Sequence, residues 1–462
     1  MRSREAGRAA AFLFVCAGAI WLQALPAKPS AEPEWVRKAD ARARRAVTEG
    51  ETAGLSLFVR RNGKTWISRG YGEADLENHV PASPGTVYAI ASITKQFTAA
   101  AVLQLADAGK LRLDDEITRF LPEYPVRGNR VTVRHLLNHT SGIRNMTALG
   151  APYWSQISRD VQPEDVIRIF QNEPFDFPPG ERYAYNNSGY FLLGVIIEKA
   201  SGMKYGEYLA KNVFAPAGLR ESFYCATTAL IPHRARGYSR GASGFVNAKY
   251  FSPSQGFSVG GVCSTAPDLA RWVEALASGR VISPAAYRQM TTPSPAILPD
   301  GERLTSGFGT GVGENEGHRV LYHAGGIFGF DAMEAWYPQD DLIIVVLSNT
   351  DGELAGEIEN AVARLALAIP APVDRPLPAG LGAACLGAYR IGESRIQVRD
   401  RDGRLSIEMP GEKPQPLLYR EGEEFSLGSG PAVIRFVLAG GAAREFRLTQ
   451  YGATRFVAKR TI

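Results

Sequence analysis

The sequence predicts an α+β fold followed by a small all-β domain. Segments typical of strands occur near both ends of residues 28–370, and segments typical of helices lie between them. This order indicates one sheet that pairs N-terminal with C-terminal strands and is covered by helices. Beyond a proline-rich stretch at 371–380, short alternating runs separated by turn residues predict a β-barrel or sandwich over 381–462.

Length and composition narrow the class of protein. The chain has 462 residues, enough for two or three domains. Apolar residues make up 45% and charged residues 21%, as in soluble globular proteins, which excludes collagen-like and largely disordered chains. The net charge is only +5, without a dense basic run beyond the N-terminus, so no nucleic-acid partner is expected. We expect a small molecule or a peptide as substrate.

The N-terminus has the pattern of a secretory signal peptide at residues 1–27. Three arginines within residues 1–8 precede an uncharged stretch at 9–25, and Ala27 offers a small residue for cleavage. Cleavage removes three arginines and one glutamate, and so lowers the net charge from +5 to +3. The alternative is an uncleaved anchor, which would be the only expected route to membrane association. Either way, we expect a secreted or periplasmic protein.

The predicted elements follow in order after a polar leader at 28–45. A strand at 54–60 and its return at 65–70 are joined by Asn62-Gly63, a strong hairpin signal. A helix at 94–108 closes at a glycine C-cap. Further helices are predicted at 131–138, 189–200, 205–213, 266–277 and 353–368, and late strands at 320–323, 332–337 and 342–347.

Cysteine usage indicates no disulfide framework and no zinc site. Cys225, Cys263 and Cys385 remain after signal cleavage, an odd number without C-x-x-C spacing. At most one disulfide can form, and the spacing does not say which. We expect each thiol to be buried and unpaired.

The first motif with catalytic chemistry is Ser92-x-x-Lys95, at the start of a predicted helix. Residues three apart on a helix lie on one face, so the lysine amine reaches the hydroxyl. A serine is a weak nucleophile until a base removes its proton, and a buried lysine with a lowered pKa can act as that base. Ser201-x-x-Lys204 has the same spacing, but Gly202 marks a helix end there, so we interpret it as structural.

Two further motifs complete the set. In Tyr185-x-Asn187, a tyrosine near a lysine can exchange a proton with a serine, and the amide can hold the lysine and a substrate carbonyl. The third motif, His323-x-Gly325-Gly326, follows a predicted strand. Its glycines let a substrate lie against the strand edge, and the N–H of Gly326 can complete an oxyanion hole.

In this order, the three motifs resemble those of the penicillin-recognising serine hydrolases of the class C β-lactamase type. That group includes D-alanyl-D-alanine carboxypeptidases, D-aminopeptidases and esterases. Segments at 111–115, 134–142 and 260–269 are also similar, and the resemblance extends over residues 50–368. It implies a β-lactamase-like/transpeptidase-like hydrolase domain at 28–370, and the tail resembles C-terminal domains of some members.

The resemblance also implies a mechanism. Ser92 attacks a carbonyl carbon and forms an acyl-enzyme, while Lys95 and Tyr185 shuttle the proton. The same tyrosine then activates the water for deacylation. Asn187 orients the Lys95 ammonium and the substrate amide, and the N–H groups of Ser92 and Gly326 stabilise the oxyanion. No cofactor and no metal is expected.

His323 departs from the β-lactamase members, which have Lys-Thr-Gly as the third motif. A lysine is a permanent cation for a β-lactam carboxylate, whereas a histidine is mostly neutral near pH 7. In this respect the sequence is similar to the peptidase and aminopeptidase members. The difference argues against efficient β-lactam hydrolysis.

Three other patterns have rival interpretations. Residues 256–260 match the G-x-S-x-G nucleophile elbow around Ser258, but no strand is predicted just before it and residues 252–255 look like a loop, so we predict a glycine-rich bend. His135 and His139 are four apart, as metal ligands on a helix can be, but no third ligand is evident, which favours a structural role. Residues 307–313 lack the ending of a phosphate loop and predict a strand near the cleft.

The sequence therefore predicts an exported serine hydrolase that forms an acyl-enzyme on Ser92. Peptides containing D-amino acids are the first expected substrates and small esters the second. A β-lactamase proper is the alternative within the same class. A catalytically silent peptide-binding protein with the same fold is the alternative from another class.

Overall fold

A computed structural model describes residues 32–294, 306–391, 394–409, 414–428, 430, 432–451 and 453–461. The predicted signal peptide at 1–27 lies outside these residues. A single compact unit begins at Glu34 and includes both the α+β domain and the C-terminal barrel. Within the described part of the chain, no helix is both long and apolar enough to cross a bilayer.

Helices occupy most of the middle of the chain. A 3₁₀ turn at Ala91–Ile93 precedes the second helix, and a π-helical segment at Leu209–Phe214 follows the seventh. The α-helices are α1 Glu34–Thr48, α2 Thr94–Asp107, α3 Val133–Leu137, α4 Ala151–Trp154, α5 Pro163–Phe170, α6 Asn187–Ser201, α7 Tyr205–Tyr208, α8 Ala215–Ala217, α9 Pro253–Gly260, α10 Ala266–Ala277, α11 Pro284–Met290, α12 Leu354–Leu367 and α13 Leu381–Cys385.

Strands lie at both ends of the first domain and throughout the second. Those of the first domain are β1 Gly54–Arg61, β2 Lys64–Asp75, β3 Val80–Pro81, β4 Tyr88–Ala89, β5 Phe223–Tyr224, β6 Tyr238–Gly241, β7 Gly244–Asn247, β8 Val262–Ser264, β9 Gly311–Asn315, β10 His318–Ile327, β11 Phe330–Tyr337 and β12 Leu342–Ser348. Those of the second are β13 Gly387–Ile391, β14 Ser394–Arg401, β15 Arg404–Glu408, β16 Gln415–Glu421, β17 Glu424–Leu427, β18 Ala432–Ala439, β19 Ala442–Gln450 and β20 Ala453–Arg460.

The main sheet is antiparallel, with the order β3-β2-β1-β12-β11-β10-β9. Leu55 of β1 lies opposite Ser348 of β12, which confirms the predicted pairing of N-terminal with C-terminal segments. Alternate residues of these strands enter two cores: Leu57 packs with α1 and α12, whereas Phe58 packs with α2 and α10. The sheet is therefore covered by helices on both faces.

Two segments that we expected to be irregular are helices. The predicted polar leader contains most of α1, in which Val36, Ala39, Ala43 and Ala46 are fully buried against the sheet. A stripe of alanines at helical spacing is a weak hydrophobic signal, which explains the wrong prediction. The predicted loop at 252–255 lies mostly in α9, because the Ser252 hydroxyl caps it by accepting the N–H of Ser254.

The expectation of unpaired cysteines is wrong for two of the three. Cys225 and Cys263 form a disulfide, with their Cα atoms 5.8 Å apart. The antiparallel pairing of β5 with β8 brings them together across 38 residues, and the sequence alone gives no sign of that contact. Cys385 is free and buried, as expected.

The C-terminal strands β13 to β20 form a closed antiparallel barrel, in which β13 pairs with β20 to complete the ring. This confirms the predicted all-β domain. The interior is filled by side chains from alternate strand positions, including Ile396, Val398, Phe425 and Phe446. Because these residues form their own core, the barrel is a distinct hydrophobic unit on the hydrolase domain.

Candidate active site

Ser92 lies on a sharp turn between β4 and α2. The turn is the 3₁₀ segment Ala91–Ile93, and Ala91 has a φ of 44°. This left-handed conformation is costly for a residue with a Cβ atom, and such strain is typical of functional sites. The turn leaves Ser92 half-buried at the start of a helix that is otherwise packed in the core.

Lys95 is fully buried beneath Ser92. Its Nζ donates to the Ser92 Oγ at 3.1 Å and to the carbonyl oxygen of Val259 at 3.1 Å. Burial lowers the pKa of Lys95 from 10.5 to about 7. A large fraction of the amine is therefore neutral near pH 7 and able to accept the serine proton.

Tyr185 borders the same amine. The Lys95 Nζ lies 4.9 Å from the centre of the Tyr185 ring, and this tyrosine is 39% exposed. The Asn145 side chain holds the Tyr185 backbone by donating to its carbonyl at 3.4 Å. The first and second motifs thus meet at Lys95, as the resemblance implies.

Asn187 is the first residue of α6 and lies beside a loop that the sequence analysis did not single out. Its N–H donates to the Asn145 Oδ1 at 3.2 Å, and its Nδ2 donates to the Thr147 Oγ1 at 3.2 Å. The amide is thus engaged with Thr147, whereas the hydrogen bonds of Lys95 go to Ser92 and Val259. The expected hold of Asn187 on Lys95 stays a prediction.

His139 contacts two residues of the second motif. Its buried Nδ1 accepts the N–H of Asn186 at 3.0 Å, and its ring lies 4.6 Å from that of Tyr185. Burial, together with the nearby Lys95 and His323, lowers the pKa of His139 well below its ordinary value. A neutral imidazole at this place adds no second positive charge beside the buried lysine.

The other histidine of that pair caps a helix. The His135 Nδ1 accepts the N–H of Thr132, the N-cap residue just before α3, at 3.3 Å. Each histidine therefore serves a backbone N–H, in line with a structural role. Among the described residues, no group of three or more histidines, cysteines or carboxylates is arranged to hold a metal ion.

The third motif lies on β10, against the turn that carries Ser92. A Cβ atom on Gly325 would lie 2.2 Å from the Ile90 carbonyl oxygen and 3.3 Å from the Ser92 nitrogen, so only glycine fits. Gly326, the next residue, is exposed and has open space around it. The close approach brings this part of the strand beside Ser92.

The same strand has an open edge at the site. β9 pairs with β10 only as far as Tyr322, whereas β11 pairs with it as far as Ile327. Among the described strands, residues 323–327 therefore have a neighbour on one side only. An extended substrate can align along the other side by backbone hydrogen bonds.

Ser258, the serine of the G-x-S-x-G pattern, is inaccessible to substrate. Ser258 has no exposed surface, and its Oγ donates to the carbonyl oxygens of Tyr190 at 2.8 Å and Phe191 at 3.3 Å. α9 bends at Phe257, where φ is 37°, and this bend belongs to the site because Val259 accepts the hydrogen bond of Lys95. The Ser201 hydroxyl is also occupied, donating to the Ile197 carbonyl at 2.6 Å.

The sequence matches the Beta-lactamase family over residues 39–369, most of the chain. The chain belongs to this family. It is a serine hydrolase of the β-lactamase fold, with a C-terminal barrel of eight antiparallel strands. The match ends close to the C-terminus of α12, so the barrel lies outside the family region.

Relatives within the family support this assignment. Penicillin-binding protein 4* of Bacillus subtilis (strain 168) is 29% identical over 429 residues, which cover 86% of this chain and 93% of that protein. The octameric penicillin-binding protein homologue from Pyrococcus abyssi superposes with a TM-score of 0.66 at 25% identity, covering 92% of this chain and all of that one. A D-stereospecific amidohydrolase from Streptomyces sp. has a TM-score of 0.61 at 27% identity, covering 71% of this chain and 97% of that chain.

Proposed function

We propose that this protein is an exported serine hydrolase that forms an acyl-enzyme on Ser92 and cleaves amides of D-amino acids, with small esters as secondary substrates. The observation that carries the proposal is the hydrogen bond between the buried Lys95 amine and the Ser92 hydroxyl, at 3.1 Å. With a pKa of about 7, Lys95 is available as a base at neutral pH.

The proposed reaction balances its protons within the site. Neutral Lys95 takes the Ser92 proton as Oγ bonds to the substrate carbonyl carbon, and the carbonyl oxygen becomes an oxyanion near the N–H groups of Ser92 and Gly326. The C–N or C–O bond then breaks, and the proton passes to the leaving group through Lys95 and Tyr185. A water molecule then attacks the acyl carbon as Tyr185 takes its proton and passes its own to neutral Lys95. The bond between the acyl carbon and Ser92 Oγ breaks, and the Lys95 ammonium returns the proton to Ser92.

The substrate class rests on the shape and charge of the β10 edge. The open edge at residues 323–327 favours an extended peptide-like substrate over a compact ring. His323 stands where a permanent cation would be needed to hold a β-lactam carboxylate. The similarity to a D-stereospecific amidohydrolase supports an amide of D configuration.

Export is supported by the disulfide and by the N-terminal sequence. Disulfides persist in oxidising compartments and are rare in the cytosol, and Cys225 is bonded to Cys263. The basic, then apolar, then small-residue pattern of residues 1–27 is typical of a secretory signal. Both observations favour a secreted or periplasmic location.

The proposed function is tested by intact-protein mass and turnover with D-alanine p-nitroanilide, its L enantiomer, p-nitrophenyl acetate and benzylpenicillin. Wild type is compared with Ser92→Ala and with Ser258→Ala as the matched control. We expect turnover of the D-anilide to exceed that of the L form by at least about tenfold, and to be lost only in Ser92→Ala.

Other outcomes would overturn parts of the proposal. Loss of activity in Ser258→Ala with retention in Ser92→Ala would contradict the nucleophile. Rapid release of hydrolysed penicillin would favour a β-lactamase proper, whereas peptide binding without any adduct would favour a silent binding protein. For export, an N-terminus beginning at Lys28 after expression with a secretion system is expected, and a cytoplasmic, unprocessed chain would contradict it.

The variant His323→Lys tests the explanation for the substrate class. A lysine would supply the cation that a β-lactam carboxylate needs, and a charge-assisted hydrogen bond of this kind is worth about 1.5–3 kcal/mol. We expect acylation by benzylpenicillin to become roughly tenfold faster relative to acylation by p-nitrophenyl acetate. An unchanged ratio would show that this position does not set β-lactam preference.

A further inference from the structure

One residue of the barrel is buried outside the barrel core. Tyr451, in the turn between β19 and β20, is 1% exposed and packs in the core that β10, β11 and α12 share. Other large apolar residues of the barrel, such as Phe425 and Phe446, point into its own interior. Tyr451 therefore joins the second domain to the core beneath the catalytic sheet.

The backbone of this turn lies along the outer edge of β9. The carbonyl oxygen of Tyr451 accepts the N–H of Glu314 at 2.9 Å. A Cβ atom on Gly313 would lie 2.3 Å from the same oxygen, so only glycine permits this approach. The turn thus occupies one N–H group at the outer edge of β9.

The hydroxyl of Tyr451 enters a buried hydrogen-bond chain. It donates to the Glu359 carboxylate on α12, which also accepts from the Tyr337 hydroxyl of β11 at 2.9 Å. The Asn315 side chain of β9 in turn donates to the Tyr337 oxygen at 3.1 Å. One chain of side chains therefore connects the barrel with α12, β11 and β9.

The Tyr451 ring contacts the catalytic strand itself. Its centre lies 4.5 Å from that of Tyr322, the residue immediately before His323 on β10. A second contact holds the tip of the β9–β10 hairpin, where Arg420 of β16 donates to both oxygens of Glu316 at 3.0 and 3.1 Å. The barrel therefore contacts this hairpin in three places: at the outer edge of β9, at the tip, and on the side of β10 that faces the core.

We propose that Tyr451 is a positioning residue for catalysis, through which the C-terminal barrel fixes the β9–β10 hairpin so that the His323–Gly326 segment lies correctly against Ser92. The inference rests on the proposed acyl-enzyme function. The site needs this support because β9 pairs with β10 only as far as Tyr322, and the catalytic segment begins at the next residue. A small shift of a strand that carries an oxyanion donor reduces the rate strongly.

The test uses the full chain and two substitutions. Tyr451→Phe removes the hydroxyl and keeps the ring, whereas Tyr451→Leu also removes the contact with Tyr322. The matched control is Tyr389→Phe, because the Tyr389 hydroxyl is likewise buried in the barrel domain and donates to the Cys385 carbonyl at 2.8 Å. The control removes the same atom without touching the hairpin.

The readouts are acylation kinetics with p-nitrophenyl acetate and amide hydrogen exchange. For Tyr451→Leu we expect kcat to fall roughly tenfold with little change in KM, and Tyr451→Phe to fall between this variant and wild type. Exchange should rise in the peptide covering 318–327 and stay unchanged in the one covering 94–107. A merely structural role would instead raise exchange in both peptides.

Two results would overturn the proposal. One is unchanged exchange and kcat in a folded Tyr451→Leu, and the other is an equal effect from Tyr389→Phe. Failure of the proposed function is separately visible, because the exchange of residues 318–327 reports on the hairpin even if no substrate is turned over.

Discussion

Ser92 and Ser258 both lie in short motifs of serine nucleophiles, and both are close to Lys95 in the fold. Each also follows a residue with positive φ, 44° at Ala91 and 37° at Phe257. Ser92 is half-buried and receives the Lys95 hydrogen bond, whereas Ser258 has no exposed surface and donates to helix carbonyls. A strained turn therefore does not make a nucleophile by itself.

The difference lies in what surrounds each hydroxyl. Ser258 fits against Gly194 of α6, where a Cβ atom would lie 2.3 Å from its Oγ, so the hydroxyl is enclosed. Ser92 lies beside Gly325 of β10 and near a strand edge open to substrate. Access and a neutral base, more than the local motif, distinguish the two sites.

The largest effect is expected from Lys95→Met, which removes the proposed base while keeping an apolar chain in the buried space. We expect the acylation rate to fall about 10³-fold, the scale of general base catalysis. The matched control is Lys204→Met in the second S-x-x-K pattern, where Lys204 is mostly exposed and pairs with Glu198. Equal losses in the two variants, measured as acylation rates, would contradict the assignment.

A pH profile sharpens the same comparison. Because burial lowers the pKa of Lys95 to about 7, the amine is protonated below this pH and neutral above it. We expect kcat/KM to fall about tenfold per pH unit well below pH 7 and to level off above it. A rate that stays constant down to pH 5, or levels off only near pH 10, would contradict a lysine base of this kind.

The smallest effect is expected from Ser258→Ala. The substitution removes the hydrogen bond to the Tyr190 carbonyl, so the free energy of unfolding should fall by about 1 kcal/mol. Activity should stay within about threefold of wild type, since Lys95 and Val259 keep their contact. Thermal unfolding measures the change in stability, and a turnover assay measures the activity. Loss of turnover in a variant that stays stable would show that the Ser258 hydroxyl contributes to catalysis.

Much of the turn that carries Ser92 could be predicted because it is local. Ser92 and Lys95 are three residues apart, and α10 starts where Thr265 caps it by accepting the N–H of Asp268 at 3.3 Å. The order of strands and helices was likewise enough to predict one sheet that pairs N-terminal with C-terminal strands.

Individual side-chain contacts between distant residues could not be predicted. The Val259 carbonyl reaches Lys95 across 164 residues of sequence. The Cys225–Cys263 bond and the support of Asn186 by His139 depend in the same way on how strands and loops meet in space. Neither hydrophobic periodicity nor spacing carries this information, and the turn of Tyr451 had no distinguishing pattern at all.

The hydrogen bond between Tyr451 and β9 has a consequence for solubility. An unpaired sheet edge is a template for joining another chain, and this sheet has two. At one edge, β3 has only two residues, one of them Pro81, which lacks an N–H. At the other, the Tyr451 carbonyl occupies the N–H of Glu314. We therefore expect a chain truncated after α12 to expose the β9 edge and to aggregate more readily than the full chain.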